Sequence, residues 1–532
     1  MLRLCMLTEA LYCTEYHIYM LKRYRLYIPG IILFIISVVV AAVTYENYGI
    51  SCDEQVQREV GLISYNYVCH GDTTLFHYLE KDHGVAYELP LIWLEKTLKL
   101  QRPQDIYHMR HLVGSLFFLC AAFCMYIISI RLFRDRILAL LAFIMLVIHP
   151  RIYAHSFFNS KDIPFLIAVI FTLFFLQSAI YKRKTIWFAL FGAAAAYATG
   201  IRVMGIVLLA VFIVIWAMML FIRQFNAGQR KNTITNGLIA IGCYGVALYF
   251  FWPLLWQSPI DNFINTFNSF SHFRVDGYVL FQGQRLLSTQ LPWYYIPTWL
   301  IITTPTVWVV FILAGIVLFP VIFIRQWKCS LVDSSSLFFV YCFFVAVLSV
   351  FSVIMLHSVV YDDWRHVYYI YPCLVLLGIF FIDNVGNTLL KNIMATFGML
   401  QVMPVVVFMW VNHPYQHVYF NEMIPKRKDY LVKHYDMEYW GTSYRAALKY
   451  ILNADKRSSL KVAYNQWYLG YNNILLLRDD ERARIQIVNS ATEADYYLTN
   501  FRYNPGEIKD TAGKVFEIQV LNSPIIRVLK MN

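Results

Sequence analysis

The chain has 532 residues, 59% hydrophobic and 15% charged, with a formal net charge of +12 and a mean hydropathy of +0.51. That balance excludes an ordinary soluble protein and reads as a multi-span α-helical membrane protein carrying one small soluble domain. The positive charge does not call for a nucleic-acid partner, because the basic residues sit in short loops between apolar runs, the positive-inside pattern.

Arg3, Lys22, Arg23 and Arg25 precede the first apolar run, 27–43, so the N-terminus is expected on the cytoplasmic side. Residues 1–26 are too mixed for a cleavable signal peptide. A long outer loop follows over 46–110, with helices expected to lie along the membrane around Leu89 to Leu94. Further spans are expected at about 111–130, 137–149, 164–180, 186–200, 203–222, 234–252, 297–324, 336–356, 367–383 and 393–411, about eleven in all. Arg131, Arg134 and Arg136, then Lys182, Arg183 and Lys184, then Arg223, Arg230 and Lys231, then Arg325 and Lys328 mark the inner turns. Small residues at Gly192, Ala193 to Ala196, Ala198 and Gly200 predict close packing of the fifth span. Residues 253–296 form a second long outer loop. After 411 the hydropathy drops: a helix over 440–452 and short strands at 462–464, 485–488, 494–499 and 514–520 predict a small α/β domain on the outer side. The expected organisation is a membrane domain, 1–411, and an outer domain, 412–532.

This topology gathers ionisable residues from distant segments onto one face. Asp53-Glu54 lies just outside the first span, where a carboxylate can take a proton from an acceptor held at the lipid boundary. The same residues also read as structure, because Ser51-x-x-Glu54 is a capping box and Val56, Val60 and Ile63 recur at helical spacing. The second outer loop carries Arg151, Lys161 and Asp162. Arg202 follows at the junction of two spans, and Asp362, Asp363, Arg365 and His366 lie between spans nine and ten. Guanidinium groups here would hold a phosphate. The structural alternatives are a snorkelling Arg202, a helix start at Lys161-Asp162, and a solvated turn at Asp362-Asp363. His149, His155, His357 and His366 match no closed metal-site spacing, and no cofactor is called for. Cys52 and Cys69 share one loop and are a candidate disulfide bracing Asp53.

Several stretches carry a resemblance: Asp53-Glu54, His149-Pro150-Arg151, Phe158 to Phe165, Pro292-Trp293-Tyr294-Tyr295, Ile302 to Pro305, Tyr361 to His366, His413 to Asn421 and Asp436 to Gly441. Through them the chain resembles the GT-C superfamily of polyprenyl-phosphate-dependent glycosyltransferases, on the branch of protein O-mannosyltransferases and bacterial aminoarabinose lipid A transferases. The resemblance implies a polyprenyl-phosphate-linked sugar donor, a lipid, glycan or protein acceptor, and a site facing the periplasm of a bacterial inner membrane. Asp53 would be the general base, with Glu54 beside it. Asp162 would support the site, and Arg365, Arg202, His366, Lys161 and Arg151 would hold the donor phosphate. The chain departs from some relatives at 83–90, where His83-Gly84-Val85-Ala86-Tyr87-Glu88-Leu89-Pro90 stands in place of a Lys-Pro-Pro-like patch. The alternative reading is a transporter or flippase of a lipid-linked or sugar substrate. Against it, the ionisable residues cluster at span ends on one side, and no paired repeat is visible.

Overall fold

A computed structural model describes residues 25–222, 226–271, 277–325 and 333–531. Arg3, Lys22, Arg23, Arg223 and Lys328 of the charge pattern lie outside the described residues. Among those described, nine helices are long and apolar enough to cross a membrane, and a bent pair, Arg136–Val147 with Pro150–Phe158, makes up to ten. The predicted fifth span is a helix of 15 residues, Thr185–Thr199, apolar but shorter than the others. The chain is therefore a multi-pass membrane protein.

The first outer loop is mostly helical. Helix α1 (Ile28–Thr44) leads through a short turn into α2 (Cys52–His70), and α3 (Glu88–Thr97) packs against α2. Helix α4 (Pro103–Phe133) starts well before residue 111, because Pro103 fits a first turn whose N–H groups have no partner anyway. Then come α5 (Arg136–Val147) and α6 (Pro150–Phe158), bent by 56° where His149 and Pro150 intervene. Helix α7 (Asp162–Lys182) and α8 (Thr185–Thr199) follow, then α9 (Ile206–Ile222) and α10 (Ala227–Phe251). The small residues of α8 do what their size allows. A Cβ on Gly192 would collide with the carbonyl oxygen of Ala240, so the two backbones of α8 and α10 touch.

The second outer loop holds a helix, α11 (Pro259–Ser271), and a hairpin of β1 (Tyr278–Phe281) and β2 (Gln284–Leu287). The single span expected over 297–324 is broken into α12 (Tyr295–Thr303) and α13 (Thr306–Arg325), since Pro305 disfavours helical backbone at Thr304. Helices α14 (Ser334–Met355) and α15 (Tyr371–Asp383) match the ninth and tenth spans. The eleventh is again two helices, α16 (Thr388–Leu400) and α17 (Val402–Val411).

The last part folds as a mixed sheet between short helices. Strands β3 (Leu460–Tyr464), β4 (Ile485–Ile487), β5 (Tyr496–Thr499), β6 (Lys514–Val520) and β7 (Ser523–Lys530) take the order β4-β3-β5-β7-β6. β3 pairs in parallel with β4 and β5, and β7 runs antiparallel to β5 and β6. The predicted helix near 440–452 is Tyr444–Ala454, and a helix over Trp467–Ile474 faces the segment that carries Asp53.

Candidate functional site

The site is assembled where α2, α7, the turn before α15 and the C-terminal sheet domain meet. Asp53 stands in the first turn of α2. Its helix start is fixed by Glu54, which accepts the Ser51 N–H at 2.8 Å and lies 3.1 Å from Nε2 of His111. Glu54 is buried and turned into helix packing, so it acts as the cap of the alternative reading. The C-terminal domain grips the same start. Asn473 accepts the Ile50 N–H at 3.1 Å and donates to the Ile50 carbonyl at 3.0 Å, while Cys52 N–H donates to Trp440 O at 3.1 Å. Cys52 and Cys69 are both free thiols near opposite ends of α2. Seventeen helical steps separate them, about 25 Å at about 1.5 Å per residue, so the expected Cys52–Cys69 disulfide does not form.

Asp162 opens α7. Asn159, not Lys161 or Asp162, forms the turn before it, accepting Asp162 N–H at 2.8 Å and donating to the Asp162 carboxylate at 2.9 Å. That carboxylate pairs with Arg202 and with Arg365, the latter at 3.2 Å. Arg365 is the junction of the cluster. One of its nitrogens reaches Asp53 at 3.1 Å as well as Asp162, and its second reaches Asp362 at 3.5 Å. The guanidinium is held between the Tyr361 and Trp440 rings at 4.9 and 4.7 Å. Asp362 and Asp363 have left-handed backbones, φ +56° and +65°, which turn their carboxylates to different partners. Asp362 takes Arg502 at 2.8 Å, while Asp363 takes Arg151 at 2.8 Å and the hydroxyls of Tyr368 and Tyr439 at 2.9 and 2.6 Å.

The structure thus brings Asp53, Asp162, Arg365 and Arg202 into one network, with Lys161 beside it. Nζ of Lys161 lies 2.7 Å from Nδ1 of His83, and Gly84 next to that histidine presses on the carbonyl of Gly200. His366 packs its ring against Tyr361 at 4.8 Å. Arg151 is set apart: fully buried, it also donates to Tyr419 O at 3.1 Å and lies over the Phe420 ring. Arg151 thus stands in a separate buried pair with Asp363. Arg502 carries no sequence signal beyond its aromatic flanks Phe501 and Tyr503, whose φ values are also positive. It enters the site only through tertiary folding.

Exposure separates the carboxylates. The side chain of Asp53 is 32% accessible, against 1% for Asp162 and 2% for Asp362. Burial works to raise the Asp53 pKa, but Arg365 and Lys161 outweigh it and hold the carboxyl below its usual range. For Asp362 burial prevails over Arg502 and Arg365, and the pKa is raised. Burial, then Arg202, brings the Lys161 ammonium down to about 7. Among the described residues no three His, Cys, Asp or Glu side chains are placed together to hold a metal ion.

Residues 87–273 match the family model described as dolichyl-phosphate-mannose-protein mannosyltransferase. Among solved structures, the archaeal oligosaccharyltransferase AglB from Archaeoglobus fulgidus, in complex with an inhibitory peptide and a dolichol-phosphate, is similar with a TM-score of 0.51. The match covers 90% of this chain and 70% of that one at 9% identity. The chain shares the fold of that oligosaccharyltransferase. ArnT from Cupriavidus metallidurans in the apo state aligns over 94% of this chain and 98% of its own, at 11% identity and a TM-score of 0.49. No curated protein matches the sequence. Within this fold, the Asp53 cluster lies at helix starts brought together on a single face.

Proposed function

We propose that this protein is an integral-membrane glycosyltransferase that moves a sugar from a polyprenyl-phosphate carrier to a lipid, glycan or protein acceptor. The proposed setting is the periplasmic face of a bacterial inner membrane. Asp53 is the general base that takes the proton of the acceptor nucleophile as the sugar–phosphate bond breaks. Arg365, Arg202 and Lys161 stabilise the charge that develops on the leaving lipid phosphate. Asp162 and Asp362 orient Arg365, and Glu54 secures the helix start beneath Asp53.

The observation that carries this reading is the exposure contrast. Asp53 is the accessible carboxylate of a cluster whose other members are committed to arginines. The match of 87–273 to a mannosyltransferase family model supports the chemistry. The dolichol-phosphate named with AglB supports a lipid-phosphate donor. The resting basicity of Asp53 is low because Arg365 and Lys161 face it. An incoming phosphate would draw on both cations and return basicity to Asp53 when a donor is present.

The test is mass spectrometry of glycolipids and glycoproteins from cells lacking the protein, complemented with wild type or Asp53→Asn at matched membrane levels. Wild type is expected to restore a sugar on some acceptor and Asp53→Asn is not. Equal restoration by both would remove Asp53 from the chemistry.

A further inference from the structure

At the opposite ends of the same spans lies a cavity of about 290 Å³ that the Asp53 cluster does not use. Its apolar wall includes Leu176 and Ile180 of α7, Phe212 and Ile215 of α9, and Phe188 of α8; Arg183 and Asn232 line its polar part. Asp162 begins α7 and Arg183 follows its end, so at about 1.5 Å per residue over 21 residues the two sites are about 30 Å apart, one bilayer core. The cavity is therefore at the other membrane face.

Its charge is one-sided. Exposed Lys182, Arg183 and Lys184 cluster at the α7–α8 turn, and exposed Arg230 and Lys231 precede Asn232 in the first turns of α10. Lys182 lies over the Trp187 ring at 4.1 Å. Asp333, next to the lining Ser334, is engaged as the cap of α14, accepting Ser336 N–H at 2.7 Å. A cavity apolar within and cationic at its rim, between spans at the membrane surface, has the chemistry of a phospholipid site. A soluble anion would leave the apolar wall bare, and a neutral lipid would leave the cations unanswered.

We propose that this cavity holds an anionic phospholipid, with an acyl chain against Leu176, Ile180, Phe212 and Ile215 and its phosphate at Arg183. Phe188 of the wall belongs to α8, the helix that runs to Gly200 and Arg202, so the occupant braces the helix leading into the Asp53 cluster.

The full chain, purified in detergent, is titrated with phosphatidylglycerol or with phosphatidylcholine of the same acyl chains, and bound lipids are counted by native mass spectrometry. One phosphatidylglycerol adduct is expected to persist at lipid levels where phosphatidylcholine leaves none, and glycerol 3-phosphate is not expected to displace it. Ala179→Trp, which fills the cavity, is expected to remove that adduct. Arg183→Gln, an exposed change that spares folding, is expected to weaken phosphatidylglycerol several-fold and leave phosphatidylcholine unchanged. Equal retention of the two lipids overturns the proposal, as does an adduct undiminished in Arg183→Gln. Displacement by glycerol 3-phosphate would make the site one for soluble phosphate instead.

Discussion

Arg151 was a candidate for the donor phosphate, and the structure gives it a different environment that a pair of substitutions can test. Both it and Asp363 are fully buried and 2.8 Å apart. Arg151→Met keeps the length and apolar stem but leaves the Asp363 carboxylate with only the Tyr368 and Tyr439 hydroxyls. Removing one partner of a buried pair costs about 3–5 kcal/mol, because the other charge is left without compensation. Adding Asp363→Asn removes that charge and keeps an acceptor for the two hydroxyls. The double variant should therefore stand within about 1–2 kcal/mol of wild type, the scale of a few altered hydrogen bonds. Thermal unfolding of purified protein in detergent, at one fixed scan rate, orders the three proteins. The expected order of midpoints is wild type, then the double variant close behind, then Arg151→Met several degrees lower. If Arg151→Met unfolds with wild type yet loses polyprenyl-phosphate binding, the buried-pair reasoning is wrong and Arg151 touches the donor.

Other outcomes follow from the same network. Glu54→Gln is expected to lower the midpoint by removing the buried charge facing His111, while transfer per folded molecule survives; loss of transfer at unchanged stability would instead give Glu54 a chemical role. Arg365→Lys keeps a charge but cannot span Asp53, Asp162 and Asp362 at once, so transfer should fall by about a hundredfold or more, the scale for losing one oriented stabilising group. Near-normal turnover would reduce the guanidinium to a point charge. Because the Lys161 pKa lies near 7, below its ordinary value, its ammonium is lost as pH rises from 6 to 8, and polyprenyl-phosphate affinity should decline over that window. Lys161→Arg should flatten the decline, and an unchanged profile would place the titration elsewhere. The same depressed pKa makes the unfolded chain bind more protons between about 7 and 10, so the Lys161 contribution to stability rises with pH there.

Most spans were legible because a run of about 20 apolar residues has few other uses. The breaks were not. Hydropathy averaged along 297–324 reads straight through Thr304-Pro305, where Thr304 takes extended backbone. Strand β7 escaped because nearly every residue is buried, so it shows no alternation. The hairpin turns at Gln282 and Gly283, both with positive φ, and only the glycine marks that turn in the sequence because the second strand opens on polar Gln284 and Arg285. In the site, topology alone was enough to place Asp53, Asp162, Arg202 and Arg365 on one face. It could not pair them, because pairing is decided by side-chain reach across elements 40 to 312 residues apart. Arg151 and Arg365 look alike as arginines at span ends; only packing shows that one closes onto Asp363 and the other opens toward Asp53.

That pairing also gives the C-terminal domain a part in the site. Asp362 offers one oxygen to Arg365 and the other to Arg502, so the sheet domain reaches the junction arginine through that carboxylate as well as through the Trp440 ring. From the other side the same domain holds Ile50 and Cys52, the backbone from which Asp53 projects. Asp53 and Arg365, 3.1 Å apart, are thus both held from this domain, and Arg365 is held by Asp162 as well. Loss of Arg502 would free one oxygen of Asp362 and leave the guanidinium with Asp162 and the Trp440 ring. Within the proposed reaction, the membrane spans bring the carboxylates to one face and fix Arg365 through Asp162, and the sheet domain adds contacts to both the start of the base's helix and the cation that restrains it.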